Sequence, residues 1–272
     1  MSQALTLAAC YFCAMTADLT LSRRLALVPL FSKLRESDLN LLAGLLKPRD
    51  YAKNRVILFA HDPSDAFYIV LSGHVKVMLI AEDGREVVLQ LVGKDDFFGE
   101  NALMDDEPYA ASVIAMDDSK LLVLQRDDFR RCISEMPGMS FGLLRALCGR
   151  LREADHKIGG LILLDVTGRV SHLLLDLASR GDGERISDLP THQVIAQMVG
   201  SSRETVSRTM SALVSQKFIE TSSGTARILN REALETAAGQ MLRRRLKTSA
   251  AAGVSTRTST PVALGAVSQP KP

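Results

Sequence analysis

The chain has 272 residues, a formal net charge of +2, 46% hydrophobic and 24% charged residues. That length carries two domains with real cores, and the ordinary apolar content excludes a mostly disordered chain. Net charge is silent about nucleic acid, but its distribution is not. Acids outnumber bases from Glu82 to Asp128, and bases dominate from Arg203 onward, ending in Arg243-Arg244-Arg245. An acidic front and a basic back would keep a polyanion at one end. No apolar run is long enough to span a bilayer, so no membrane partner is expected. Four cysteines, at positions 10, 13, 132 and 148, make no disulfide framework in a chain this size, and a reducing, cytoplasmic setting is expected.

Residues 1–20 are expected to form a flexible arm, and Met15 competes with Met1 as the first residue. Leu7-Ala8-Ala9-Cys10 has the form of a lipoprotein cleavage box. No Lys or Arg precedes it, however, and its apolar part is too short for a secretion signal. Cys10-Tyr11-Phe12-Cys13 has the spacing of iron–sulfur ligands but lacks a third cysteine nearby. The five histidines are scattered, and no metal site is expected.

From Leu19 to Leu46 the pattern is helical, with Ser37 placed to cap a helix bearing Leu41, Leu42, Leu45 and Leu46. From about Tyr51 to Leu124 the period changes to two. Short strands are predicted at Val56–Phe59, Ala66–Leu71, His74–Leu79, Val87–Leu91, Ser112–Ala115 and Lys120–Leu124. Turn signals separate them, among them Asp62-Pro63, Ser72-Gly73 and Asp83-Gly84. Evenly spaced short strands imply an antiparallel roll or barrel. Residues 21–136 are therefore assigned to a β-roll domain.

A short helix, Arg126 to Met136, is predicted to break at Pro137-Gly138. A long helix then runs from about Met139 to Leu164. Along it Leu144, Leu147, Leu151, Ala154, Ile158 and Leu161 repeat at alternating spacings of three and four, a seam that calls for a partner helix. A second copy of the chain is the natural partner, so a twofold homodimer is expected, with residues 137–165 as dimerisation helix and hinge. Asp165 is placed to cap the next helix.

Residues 166–240 form the last folded unit. Within Thr191 to Lys217, Val194, Ile195, Met198 and Val199 give a first helix its apolar face, and Gly200 supplies a tight turn. Ser202 can cap a second helix whose Val206, Met210, Leu213 and Val214 face inward. Its other face presents Arg203, Glu204, Ser207, Arg208 and Ser211. Two arginines and a glutamate near a helix start suit a DNA major groove, since Arg grips guanine and Glu accepts from cytosine. Phe218–Thr221 and Thr225–Leu229 read as the hairpin of a wing, and Arg231–Ala238 as a last helix. Residues 241–272 form a tail of Ala, Ser, Thr, Gly and Pro expected to be disordered.

The run GSSRETVSR closely resembles the recognition helix of the cyclic-AMP receptor protein/FNR family of bacterial transcription regulators. The resemblance extends over roughly Leu25 to Leu229 and is densest from Lys157 to Lys217. It implies an α+β fold: an amino-terminal antiparallel β-roll of cyclic-nucleotide-binding type, a long dimerisation helix and a carboxy-terminal winged helix-turn-helix. It further implies a regulator rather than an enzyme, with double-stranded DNA, a second copy and RNA polymerase as partners. Residues matching Arg203, Glu204 and Arg208 read bases in that family. Those matching Ser202, Thr205, Thr191 and Gln193 touch phosphates, with His192 and Ser207 beside them. A palindrome of TGTGA-like half-sites is expected.

Phe97-Phe98-Gly99-Glu100 resembles the family's phosphate-binding cassette, so Gly99, Glu100 and Asn101 become candidate effector residues, with Tyr109, Ala110 and Asp155. The family places Arg-Ser or Arg-Thr where this chain has Tyr109-Ala110, and a threonine-serine pair where it has Ala154-Asp155. Both departures argue against a standard cyclic-AMP pocket. Cyclic AMP, cyclic GMP and cyclic di-GMP stay as candidate effectors, beside an effector-independent regulator of the same fold. Two rivals from other classes are a cyclic-nucleotide-binding module without DNA function and a cupin-like enzyme. The Arg203-Glu204-Arg208 face counts against the first and the missing histidine cluster against the second.

Overall fold

A computed structural model describes residues 21–239. The expected arm, tail, Cys10 and Cys13 lie outside the described residues. After a helical start at residues 21–25 and a 3-10 turn at Pro29–Phe31, the first full helix is α1 (Glu36–Leu45). The chain enters α1 at Arg35, in extended conformation. Ser37 therefore sits inside the first turn rather than capping it, and its hydroxyl meets Asp38 Oδ1 at 3.4 Å.

Eight strands follow: β1 (Lys47–Tyr51), β2 (Val56–Leu58), β3 (Ala66–Ser72), β4 (Val75–Ile80), β5 (Glu86–Val92), β6 (Phe97–Phe98), β7 (Ser112–Ala115) and β8 (Ser119–Gln125). They form two antiparallel four-stranded sheets, ordered β1-β8-β3-β6 and β2-β7-β4-β5. The sheet begins at Lys47, four residues earlier than the expected start of period two. The β1 segment KPRDY is polar and exposed because it lies on a sheet edge, where Pro48 forfeits no ladder bond the fold needs.

Strand β3 reads as one unbroken apolar run because both of its faces are covered. Phe67 and Ile69 pack outward with Phe97, Leu122, Leu124 and Phe129. Tyr68 and Val70 point into the roll with Phe98, Leu121 and Val123. The outer core joins this sheet to the amino-terminal helices, to α3 (Arg126–Glu135) and to the start of α4 (Pro137–Leu163). Stacked Phe67 and Phe129 are fully buried, and burying one such side chain is worth about 1.5–3 kcal/mol.

Pro137 opens α4 instead of breaking the path into it. Its fixed φ suits the first helical position, where no N–H is needed. Along α4, Leu144, Leu151, Ile158 and Leu161 are 55–63% exposed in the single chain. Leu147 departs from that row: it is half-buried and packs on the outer core of the roll.

The last unit is α5 (Val166–Ser179), β9 (Arg185–Ile186), α6 (His192–Val199), α7 (Arg203–Ser215), β10 (Ile219–Ser222), β11 (Thr225–Ile228) and α8 (Arg231–Ala237). Asp165 caps α5 as expected, accepting from Gly168 N at 2.7 Å. Val170, Leu174, Ile195, Val206, Met210 and Leu213 form this unit's own core. The wing is the β10–β11 hairpin, to which β9 adds a third strand. Among the described residues no helix is long and apolar enough to cross a membrane.

Candidate effector cavity and DNA-reading surface

The candidate DNA-reading surface is built by local chemistry. Thr191 caps α6, accepting from Val194 N at 3.4 Å. Gly200 ends α6 at φ +65°, a left-handed value that glycine adopts without penalty. Two residues later Ser202 caps α7, accepting from Thr205 N at 3.2 Å. Once α7 is fixed by Val206, Met210 and Leu213 on the core side, helical spacing turns Arg203, Glu204 and Arg208 outward, and all three are exposed. Ser202, Thr191 and Gln193 are exposed beside them, while Thr205, Ser207 and His192 are half-buried.

The electrostatics of that face favour recognition. The Glu204 carboxyl is held below its ordinary value by its own backbone N–H and by the Ser202 side chain, with Arg203 and Arg208 assisting. It is thus an acceptor-only group at neutral pH, as a cytosine amino group requires. Arg208 rests against Thr205 Oγ1 at 3.4 Å, which leaves most of its donor fork open to solvent.

The second feature is a cavity of about 600 Å³ whose wall draws on all three parts of the chain. The roll contributes Val88, Phe98 and Val113; α4 contributes Arg150, Ala154 and Ile158; α5 and α6 contribute Leu173 and Met198. Of the residues singled out from sequence, Gly99, Glu100, Asn101, Tyr109 and Ala110 line it. Asp155 is exposed on α4 and does not, whereas its neighbour Ala154 does.

At the cassette Gly99 stands at φ +90°, and a Cβ there would lie 2.9 Å from the Ala66 carbonyl oxygen. Glycine is therefore required by both conformation and space. Glu100 follows, 1% exposed, with Oε1 paired to Arg150 and Oε2 without a hydrogen-bond partner. Burial pushes the Glu100 carboxyl above its ordinary value, and the charge of Arg150 pulls back less strongly. Tyr109 is buried with its hydroxyl turned away from solvent. That hydroxyl accepts from Asp65 N at 3.1 Å and Ala66 N at 3.2 Å, and its single hydrogen has Asp65 Oδ1 at 2.9 Å and Ala66 O at 3.0 Å as alternative acceptors. Burial, ahead of the opposing backbone bonds, pushes the Tyr109 phenol up to about 12.

Sequence reasoning missed Arg150. Its guanidinium reaches Asp96 at 3.3 Å and the Phe97 carbonyl at 2.5 Å, and lies 4.5 Å from the Phe97 ring centre. The available signal was spacing: Arg150 stands four residues before Ala154, on the same face of α4. Also missed were the contacts that bind α4 and the last unit to the roll. Gln197 Nε2 donates to Glu86 Oε2 at 2.6 Å, and Lys157 donates to the Leu89 carbonyl.

Comparison with known proteins agrees with this architecture. Residues 48–136 match the cyclic nucleotide-binding domain family and residues 168–237 the Crp-like helix-turn-helix domain family. The CRP-like cAMP-activated global transcriptional regulator of Mycobacterium tuberculosis is 34% identical over 200 residues, covering 72% of this chain and 89% of the relative. The cyclic AMP receptor protein of Thermus thermophilus is 33% identical over 207 residues, covering 76% and 95%. In fold, FixK2 of Bradyrhizobium japonicum superposes with a TM-score of 0.66 at 22% identity, over 71% of this chain and 96% of that one. The c-di-GMP responsive regulator CLP of Xanthomonas campestris gives 0.61 at 21% identity, over 71% and 99%. The chain, with its cyclic-nucleotide-binding roll, long helix and Crp-like helix-turn-helix, belongs to the cyclic-AMP receptor protein/FNR family of DNA-binding transcription regulators.

Proposed function

We propose that this protein binds a palindromic DNA site as a homodimer, under control of a small effector held in the cavity of the roll. The observation that carries this reading is the solvent-facing row of Arg203, Glu204 and Arg208 on a helix capped and packed from its other side. Arg203 and Arg208 offer bidentate forks to guanine, Glu204 accepts from cytosine, and Thr191, Gln193 and Ser202 approach phosphates. Kinship with the family points to TGTGA-like half-sites, one helical turn apart, and to RNA polymerase as the protein the dimer engages.

Support for dimerisation comes from the α4 row Leu144, Leu151, Ile158 and Leu161, exposed in the single chain at the spacing of a two-helix seam. Support for effector control comes from the reach of the cavity. A ligand there touches the roll, the dimer helix and the reading unit together, so it can favour one arrangement of the three over another. Cyclic AMP, cyclic GMP and cyclic di-GMP are the nucleotides that the family's history suggests for such a roll. A mobility-shift assay with a palindromic TGTGA-type duplex tests the reading. A retarded complex of two chains per duplex, competed by the same site and not by a scrambled one, supports it. Indifference to sequence at modest salt refutes it.

A further inference from the structure

Charge is distributed unevenly along the cavity wall. At the cassette the one cation, Arg150, is matched by carboxylates: it pairs with Glu100 and reaches Asp96 at 3.3 Å. Gly99, Asn101, Tyr109 and Ala110 bring no charge of their own. Two other cations line the cavity from the helices, Lys157 on α4 and Arg169 on α5. Lys157 donates to the Leu89 carbonyl. Arg169 gives Nε to the Val199 carbonyl and Nη1 to the Leu164 carbonyl, each at 2.8 Å. Carbonyl acceptors are neutral, so both side chains keep their full charge. Donors also stay open: Lys157 has further ammonium hydrogens, and Arg169 Nη2 has no partner among the described residues.

The nearby acids do not neutralise this end. Asp176 turns to His172 Nδ1 at 3.2 Å, and Glu153 acts on Lys157 only at longer range. Desolvation lowers the Lys157 ammonium below its ordinary value, ahead of the support from Glu153 and the opposition of Arg180. A cation in that condition lacks the compensation an incoming anion would supply. We propose that the cavity binds an organic anion with an apolar body, its negative charge met by Lys157 and Arg169 rather than by the cassette. This rests on the reading of the roll as the sensor, and it names the ligand class and the residues that hold its charge. Val77, Val88, Phe98 and Val113 offer the carbon body an apolar wall. Because Arg169 bonds the carbonyls of Leu164, just past α4, and Val199, at the end of α6, an anion on its guanidinium bears on how dimer helix and reading unit are joined.

Two probes on one skeleton test this on the full-length protein. 8-Anilinonaphthalene-1-sulfonate is an anion, and N-phenyl-1-naphthylamine is its neutral parent. Binding is read by fluorescence, and Val77→Trp, which fills the cavity from β4, identifies the signal that comes from it. The sulfonate should bind there about tenfold more tightly than the amine, as a charge-assisted hydrogen bond allows. Lys157→Met and Arg169→Gln should each remove most of that preference, leaving amine binding and circular dichroism unchanged. Lys157→Arg and Arg169→Lys, which keep the charge, should retain it. Arg152→Met, on α4 but outside the cavity lining, should change nothing. Sulfonate binding no tighter than that of the amine, or equal losses in Arg152→Met and Lys157→Met, overturns the proposal. Decanoate and cyclic di-GMP tell a carboxylate from a phosphodiester: the better competitor names the group, and competition by neither at millimolar concentration also overturns the proposal. Such a failure while a palindromic duplex is still retarded sinks the anion site and leaves the DNA-binding reading standing. An anion preference without retardation supports the site and sinks that reading.

Discussion

Gln197, on the first helix of the DNA-reading pair, donates its side-chain amide to Glu86 at the start of β5 across 2.6 Å, joining residues 111 positions apart. Two further bonds reach the same strand: Lys157 of α4 to the Leu89 carbonyl, and Arg180, just past α5, to the Leu91 carbonyl at 3.5 Å. Strand β5 also lines the cavity through Val88 and Leu89. One strand thus lines the cavity and also bonds to α4, to the end of α5 and to α6.

Gln197→Ala should therefore change DNA binding without touching DNA. A hydrogen bond of this kind contributes about 0.5–1.5 kcal/mol, a factor of roughly 2–10 in an equilibrium. If the bond belongs to the arrangement that binds DNA less well, the effector-free variant should bind a palindromic duplex more tightly by that factor. Fluorescence anisotropy titration reads the change directly. An unaltered affinity would mean that this contact holds neither state.

The proposed dimer seam makes a second demand. Leu151 is 63% exposed in the single chain, so Leu151→Asp removes little from the chain's own fold. Placed in a two-helix seam, the carboxylate would be desolvated against its own copy. Sedimentation should show the variant as a monomer with unchanged circular dichroism, and its affinity for a full palindrome should fall toward that for a half-site. A variant that remains dimeric at micromolar concentration would move the interface elsewhere.

On the reading helix, Arg203→Ala should cost about 1–3 kcal/mol on the preferred site and flatten the preference at one base pair. Competition with duplexes changed at each position in turn distinguishes this from a phosphate contact, whose loss weakens every sequence alike. Because Arg203 is exposed and outside the core, its removal should leave the melting temperature nearly unchanged.

Tyr109→Phe tests how the cassette is braced. The hydroxyl serves two backbone N–H groups, and its loss leaves Asp65 N and Ala66 N without this acceptor. A cost of about 1–3 kcal/mol in urea unfolding is expected, with little change in the slope. A cost below about 0.5 kcal/mol would show that water replaces the phenol there.

Much of this was legible in the sequence because it is local. Asp165, Thr191 and Ser202 each cap a helix beginning one residue later, and Gly200 supplies its own turn, so a short window holds cause and effect. The strands from Val56 to Leu124 were legible through their period. What escaped depends on pairing across distance. The polar segment Lys47–Tyr51 is a strand only because β8 lies beside it. Arg150 matters only because the fold brings it to Glu100, fifty residues earlier. Leu147 fits the heptad, yet the roll reaches it before a partner helix would. Ser37 has the chemistry of a cap, but the helix starts one residue before it.

The most direct measurement is the binding of the purified full-length protein to two duplexes carrying identical TGTGA-type half-sites. In one the half-site centres are a helical turn apart; in the other about five base pairs are added between them, turning one half-site to the opposite face. Tight binding of two chains to the first duplex, with a loss of at least tenfold on the second, is the expected result. Equal affinity for the two, or for a scrambled duplex of the same length, would contradict a symmetric dimer reading DNA through Arg203, Glu204 and Arg208.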